Sequence, residues 1–147
     1  MKPAAVYVEP NCRAGAISGF QIAIPHRAPE LTRTAFQRAA ELARGLDARI
    51  RLIEIQVVPI GLPLDKPTVN PEHSIRKIRL LAMESAVPIS AEIVYARDWE
   101  QGLRRSLVPG SIVLLTIKRR WWRTGFSEKR MAARLRKAGH QVVWIKS

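Results

Sequence analysis

The C-terminal stretch of residues 111–147 constrains the fold of this chain more than any other part of the sequence. Residues 111–116 are a short apolar run with β-branched side chains that follows a Pro-Gly pair, which is typical of a buried strand after a turn. Ser127 and the acid behind it indicate the start of a helix, and Gly139 indicates its end. Residues 141–145 are apolar again and predict a second strand. Together they predict a βαβ unit with parallel strands, in which the loop after the first strand lies at the ligand-binding edge of the sheet.

The sequence upstream repeats this alternation of apolar runs and amphipathic stretches. The further predicted strands are residues 20–25, 48–59 and 88–96. The further predicted helices are residues 31–46, 70–85 and a short one from Asp98 to about Leu107. Leu46 closes the apolar face of the first of these helices, and the continuous apolar run of 48–59 is typical of a central strand. Five strands alternating with four helices predict an α/β fold, a doubly wound five-stranded parallel sheet flanked by helices on both faces.

The first 17 residues do not share this pattern, so we assign residues 1–17 to an N-terminal arm and residues 18–147 to one α/β domain. Residues 6–8 have the composition of a short strand. The prolines and glycine around them favour an extended arm instead.

Positive charge is concentrated in the last third of the chain. The formal net charge is +13, and residues 101–147 hold twelve Lys and Arg against one acid, Glu128, so they carry +11 and the first 100 residues carry +2. Such asymmetry suggests an anionic partner, either a nucleotide, a nucleic acid or an acidic membrane surface. The alternative is that the basic residues only solvate one end of the domain.

Composition excludes several classes of protein. No apolar run approaches the roughly 18 residues of a transmembrane helix, so we expect no membrane span. The N-terminus lacks the long apolar segment of a secretory signal. Cys12 is the one cysteine, which excludes an internal disulfide and fits a reducing compartment. We therefore expect a cytoplasmic protein.

The loop after the 111–116 strand is basic and aromatic. It contains four cations and two tryptophans: Lys118, Arg119, Arg120, Arg123, Trp121 and Trp122. The cations, next to the helix start at Ser127, suit phosphate groups, and the tryptophans suit stacking on bases, as in single-strand binders. The helix that follows adds Arg130 and Arg134 to this nucleic-acid candidate surface. The alternative is that one tryptophan packs in the core or in a dimer contact while the arginines face water.

The sequence contains little that suggests catalysis. His26, His73 and His140 are scattered and lack metal-ligand spacing, so we predict no metal site. His26 is the histidine placed for function, since it follows a strand at its carboxyl end. There is no G-x-S-x-G, P-loop or acid pair, so we assign no catalytic residue and predict that the protein is not an enzyme.

Two segments resemble the universal stress protein family. Residues 35–59, AFQRAAELARGLDARIRLIEIQVVP, look like the first helix and second strand of that family. SIVLL at 111–115 and RLRKAGHQVVWI at 134–145 look like its terminal βαβ unit. The order of elements agrees from about Phe20 to the C-terminus. The resemblance implies a stress-related, non-enzymatic binding domain with a nucleotide-binding type of fold.

The chain departs from this family at the nucleotide site. ATP-binding members carry an Asp at the end of the first strand, where this chain has Pro25 or His26, and a glycine loop after the fourth strand. Thr116, Arg119 and Lys129 fall at those glycines, and they cannot take glycine backbone angles cheaply. The resemblance would assign the degenerate site to Pro25, His26, Val58, Thr116, Lys118, Arg119, Arg120, Arg123 and Ser127. We therefore expect no cofactor and no ATP binding by the family's mode.

The last predicted strand also suggests self-association. In the strand order of this fold it lies at a sheet edge, where unpaired backbone groups invite another strand. Val142, Val143 and Ile145 are β-branched, and Trp144 is of a type enriched in interface cores. Family members commonly pair through this strand, so we expect a homodimer. The alternative is that the N-terminal arm covers this edge and leaves a monomer.

Overall fold

The computed structural model describes residues 4–8, 20–44, 46, 48–64, 70–117 and 126–146, with the backbone alone at 4–8, 71, 126 and 127. The strands are β1 (Ala4–Val8), β2 (Phe20–Pro25), β3 (Ala48–Val57), β4 (Ile89–Ala96), β5 (Ile112–Ile117) and β6 (Gln141–Lys146). The helices are α1 (Pro29–Ala43), α2 (Pro71–Met83), α3 (Trp99–Ser106) and α4 (Phe126–Lys137).

The strands form one sheet in the order β1-β4-β3-β2-β5-β6. The five strands from β2 to β6 pair in parallel, and α1 and α2 cover one face while α3 and α4 cover the other. This confirms the predicted doubly wound five-stranded parallel sheet. The long apolar run of β3 lies between β2 and β4, as expected of a central strand.

The N-terminal segment differs from the expectation of an arm outside the domain. Residues 4–8 form β1, which pairs antiparallel with β4, Ala4 opposite Tyr95 and Val8 opposite Ala91. The β-forming residues of this segment outweigh the nearby prolines because the edge of β4 offers unpaired backbone groups. The sheet therefore has six strands, and its N-terminal strand covers the β4 edge.

The opposite edge is β6, which pairs with β5. Among the residues that the structure describes, no strand pairs with its outer side. The predicted alternative was that an N-terminal arm covers this edge, and residues 4–8 do not do so. The backbone N–H of Gln141 donates to the carbonyl of Ser111 at 3.0 Å. Since backbone groups alternate in direction along a strand, the N–H groups of Val142 and Trp144 point away from β5.

Most helix ends follow from local sequence. Asn70 accepts from the backbone N–H of Glu72 at 3.0 Å, and Asp98 accepts from that of Gln101 at 2.9 Å, as N-caps do. Gly139 has a φ of 97°, the left-handed conformation that ends α4. The prediction for α1 is wrong at its end, because the backbone turns extended at Arg44 and leaves Leu46 outside the helix and 39% exposed.

One buried ion pair was not predicted from sequence. The guanidinium of Arg51 on β3 contacts the carboxylate of Glu92 on β4, and the two side chains are 12% and 6% exposed. Arg51 also donates to the backbone carbonyl of Ser106 at 2.9 Å and to Gln21 Oε1 at 3.4 Å. These bonds tie three adjacent strands to the end of α3.

Candidate functional site

The candidate site is the crevice at the carboxyl ends of β2 and β5, where the direction of strand order reverses. Ligands of open parallel sheets bind at such a switch point. The crevice is lined by Pro25, Arg27, Leu115, Thr116, Glu128 and Met131. Its volume is about 10 Å³, about the room that one water molecule needs.

Arg27 and Glu128 line this crevice and form an ion pair with each other. Arg27 follows β2, Glu128 lies in the first turn of α4, and their Nη1 and Oε1 atoms are 3.3 Å apart. The Arg27 guanidinium lies over the indole of Trp99, 4.2 Å from the ring centroid. A cation–π contact of this kind orients the guanidinium. The side chains are 36% and 16% exposed, so solvent still reaches Arg27.

His26 turns away from the crevice. Its side chain is 7% exposed, and Nδ1 lies 2.7 Å from Oγ1 of Thr32 on α1. Burial, with a smaller contribution from the charge of Lys77, lowers the pKa of His26 to about 4. The imidazole is therefore neutral at physiological pH and supplies no positive charge to an anion.

The backbone at the expected nucleotide positions is already hydrogen-bonded within the chain. The N–H of Val58 donates to the carbonyl of Ala96 at 2.8 Å, and the Val58 carbonyl accepts from Arg97 at 3.3 Å. The N–H of His26 donates to the carbonyl of Ile53 at 2.7 Å. Pro25 has no N–H to offer. The backbone groups of His26 and Val58 therefore already have hydrogen-bond partners within the fold.

A second polar group lies between β3, β4 and α2, on the face covered by α1 and α2. The amide of Gln56 donates to Oγ of Ser74 at 2.8 Å and lies 3.4 Å from a carboxylate oxygen of Glu54. Burial raises the pKa of Glu54. The hydroxyl of Tyr95 is buried and has no hydrogen-bond partner among the described residues, and burial and the charge of Glu54 raise its pKa. This group is mostly satisfied internally.

The nucleic-acid candidate surface is described in part. Six of its residues lie outside the described ranges: Lys118, Arg119, Arg120, Trp121, Trp122 and Arg123. Arg130 is exposed on α4. Arg134 forms a bidentate contact with the carboxylate of Glu100 on α3, with Nε 2.8 Å from Oε2. Arg134 is thus engaged within the chain. The backbone of Ser127 lies in the first turn of α4, one residue after its start.

The residues predicted to form a dimer interface lie on the edge strand β6, but their side chains also pack against the core. Val142, Val143 and Trp144 are half-buried and Ile145 is buried. Val142 and Trp144 pack toward α3 and α4, whereas Val143 and Ile145 pack toward α1 and α2. Their side chains therefore stabilise the fold, and what β6 offers a partner is its backbone edge.

Four residues that line the crevice were not predicted as site residues: Arg27, Leu115, Glu128 and Met131. Trp99, whose ring contacts Arg27, was not predicted either. Arg27 had a usable signal, since it directly follows a predicted strand at its carboxyl end. Its partner could not be found from sequence, because Glu128 lies about a hundred positions further along the chain.

No group of three or more His, Cys, Asp or Glu side chains within the described ranges is arranged to hold a metal ion. None of the described helices has the length and apolar character needed to cross a membrane. A comparison of the chain with protein-family models and with curated protein sequences finds no match.

Proposed function

We propose that the chain is a non-enzymatic binding domain of universal-stress-protein type that acts, in a stress-related role, through a ligand or partner as a homodimer. Its nucleotide crevice is degenerate and closed by its own side chains. The observation that carries this proposal is the Arg27–Glu128 contact across the switch point, 3.3 Å from nitrogen to oxygen.

The chemistry of the crevice supports a loss of ATP binding. A nucleotide would need backbone N–H groups that approach its phosphates and a polar side chain at the end of β2. Here the backbone groups of His26 and Val58 are bonded within the sheet, and the neutral imidazole of His26 bonds Thr32. The carboxylate of Glu128 adds repulsion where phosphates would lie.

Isothermal titration calorimetry with MgATP tests this proposal. We expect no low-micromolar site in the purified chain at physiological salt. Mass spectrometry of the protein as purified is the complementary measurement, and we expect no co-purified nucleotide. A low-micromolar ATP site, or ATP retained through purification, would show that the crevice opens and that the proposal is wrong.

The edge of β6 supports self-association as the mode of action. Val142 and Trp144 direct backbone groups outward, and an antiparallel pair of β6 strands would satisfy them in a self-complementary two-fold interface. Repulsion between two chains of charge +13 opposes this pairing. We therefore expect the dimer to dissociate less at moderate salt than at very low salt.

A second candidate function is nucleic-acid binding through the 118–123 loop and α4. The observation that favours it is the concentration of +11 of the net charge in residues 101–147. A salt series on a single-stranded oligonucleotide tests it, because phosphate contacts give log-linear weakening with salt. Absence of binding at about 50 mM salt would exclude this function.

A further inference from the structure

We propose that Arg27 is a receptor for a compact phosphate-type anion and that Glu128 is an internal anion that occupies it. The inference rests on the proposed function, since it concerns the same closed crevice, and it names what the crevice accepts when Glu128 withdraws. The ligand class is a phosphate or pyrophosphate group held by a side chain rather than by a glycine loop.

The first argument is that the binding capacity of Arg27 is only partly used. A guanidinium carries five donors and pairs best with an oxyanion through two parallel bonds of roughly 2.7–2.9 Å. Among the described residues its ion-pair contact is the one at 3.3 Å to Glu128. The Arg134–Glu100 pair differs in geometry, because Arg134 donates to the Glu100 carboxylate from both Nε and Nη2. The Arg27–Glu128 pair is therefore weaker than the Arg134–Glu100 pair, and its carboxylate is the easier one to displace.

The second argument is that Arg27 has a contact with the fold besides Glu128. Its guanidinium lies 4.2 Å from the Trp99 ring centroid, and Trp99 itself packs against the core between α3, α4 and the sheet. The fold thus supports the cation on its apolar side. An incoming anion would meet a preorganised receptor, which lowers the ordering cost of binding.

The third argument concerns the place of Glu128 in the charge distribution. It is the one acid among the last 47 residues, in a segment of net charge +11, and it lies in the first turn of α4. Its carboxylate contacts the cation that ends β2, at the point where a switch-point ligand would lie. A carboxylate and a phosphate have similar oxygen geometry, so either can occupy the same guanidinium fork.

Calorimetry with pyrophosphate at moderate salt tests the proposal on the full chain. Glu128→Gln removes the internal anion, and we expect pyrophosphate to bind about tenfold more tightly than to the unaltered chain. Glu100→Gln is the matched control, because it removes the same charge from the Arg134–Glu100 pair between α4 and α3, and we expect less than about a twofold change. In Arg27→Gln/Glu128→Gln the gain should disappear.

Two results would overturn the proposal: an equal gain in Glu128→Gln and Glu100→Gln, which would indicate general electrostatics, or no gain in Glu128→Gln. NMR of the unaltered chain provides a measurement that does not depend on the folding of variants. Saturating pyrophosphate should shift the Arg27 Nε–H and Trp99 indole signals and leave the Arg134 Nε–H signal in place, and the opposite pattern contradicts the proposal. Failure of this inference leaves the closed nucleotide crevice intact, whereas a low-micromolar ATP site would refute the proposed function itself.

Discussion

The Nδ1 atom of His26 lies 2.7 Å from Oγ1 of Thr32, whose hydroxyl in turn lies 3.0 Å from the carbonyl oxygen of Ala28. The hydroxyl can give its one proton to the Ala28 carbonyl or to Nδ1 of His26, so this contact holds the neutral imidazole in either tautomer. A second proton would create a cation in buried surroundings near Lys77, which explains the lowered pKa.

This hydrogen bond predicts that the protein loses stability in mild acid. The pKa of His26 falls from 6.5 in the unfolded chain to about 4 in the fold. Between these values the unfolded chain takes up the proton and the folded chain does not. The contribution of His26 is therefore fully present above pH 6.5 and decreases by up to about 3 kcal/mol as the pH falls to about 4.

Chemical denaturation at a series of pH values measures this effect. His26→Asn retains a hydrogen-bonding group near Nδ1 and removes the titration, so the free energy of unfolding should fall less steeply with acid than in the unaltered chain. His73→Asn is the control, since His73 is exposed on α2. If His26→Asn shows the same acid slope as the unaltered chain, the prediction is wrong.

The buried pair of Arg51 and Glu92 predicts strong coupling between two substitutions. Glu92→Leu alone leaves Arg51 buried, at 12% exposure, without its counter-charge, and should destabilise the fold by about 3 kcal/mol or more. Arg51→Met with Glu92→Leu removes both charges, and most of that loss should return. Urea denaturation of the two single variants and the double variant gives the coupling energy, and additive losses would contradict the prediction.

We predict that Gly102→Ala destabilises the fold, although alanine has a better helix propensity than glycine. A Cβ at this position would lie 2.8 Å from Cβ of Ala96 and 3.0 Å from Cγ2 of Ile55, so α3 would have to move away from the sheet. Gly102→Ala should cost about 1–3 kcal/mol, which exceeds the gain of up to about 1 kcal/mol from helix propensity. Gly61→Ala meets no atom within 4 Å and should be close to neutral in the same thermal and urea unfolding measurements.

The edge of β6 predicts a homodimer of twice the chain mass in light scattering. Val143→Asp should halve that mass, but Val143 also packs toward α1 and α2, so its folding must be checked by circular dichroism. Val142→Pro removes an outward N–H instead and should also give a monomer. Leu80→Asp, an exposed position on α2, is the control and should leave the mass unchanged. A monomer for the unaltered chain at tens of micromolar and physiological salt would exclude the dimer.

The sequence by itself determined the α/β class, the alternation of helices with the parallel strands β2 to β6 and, among the described residues, the edge position of β6. These follow from local signals, such as the caps at Asn70 and Asp98 and the stop at Gly139, and from the right-handed rule for parallel connections. The pairing of residues 4–8 was not accessible in this way, because a short apolar segment among prolines becomes a strand only where an unpaired edge receives it.

Only the tertiary structure decided the character of the crevice. The sequence indicated that the glycines of a nucleotide loop are missing, but not that Arg27 meets Glu128 or that the backbone of Val58 bonds Ala96. Such contacts join residues far apart in the chain, and their partners depend on strand order and helix placement rather than on any local pattern. The neutrality of His26 has the same origin, since burial beneath α1 and not its neighbours in sequence sets its pKa.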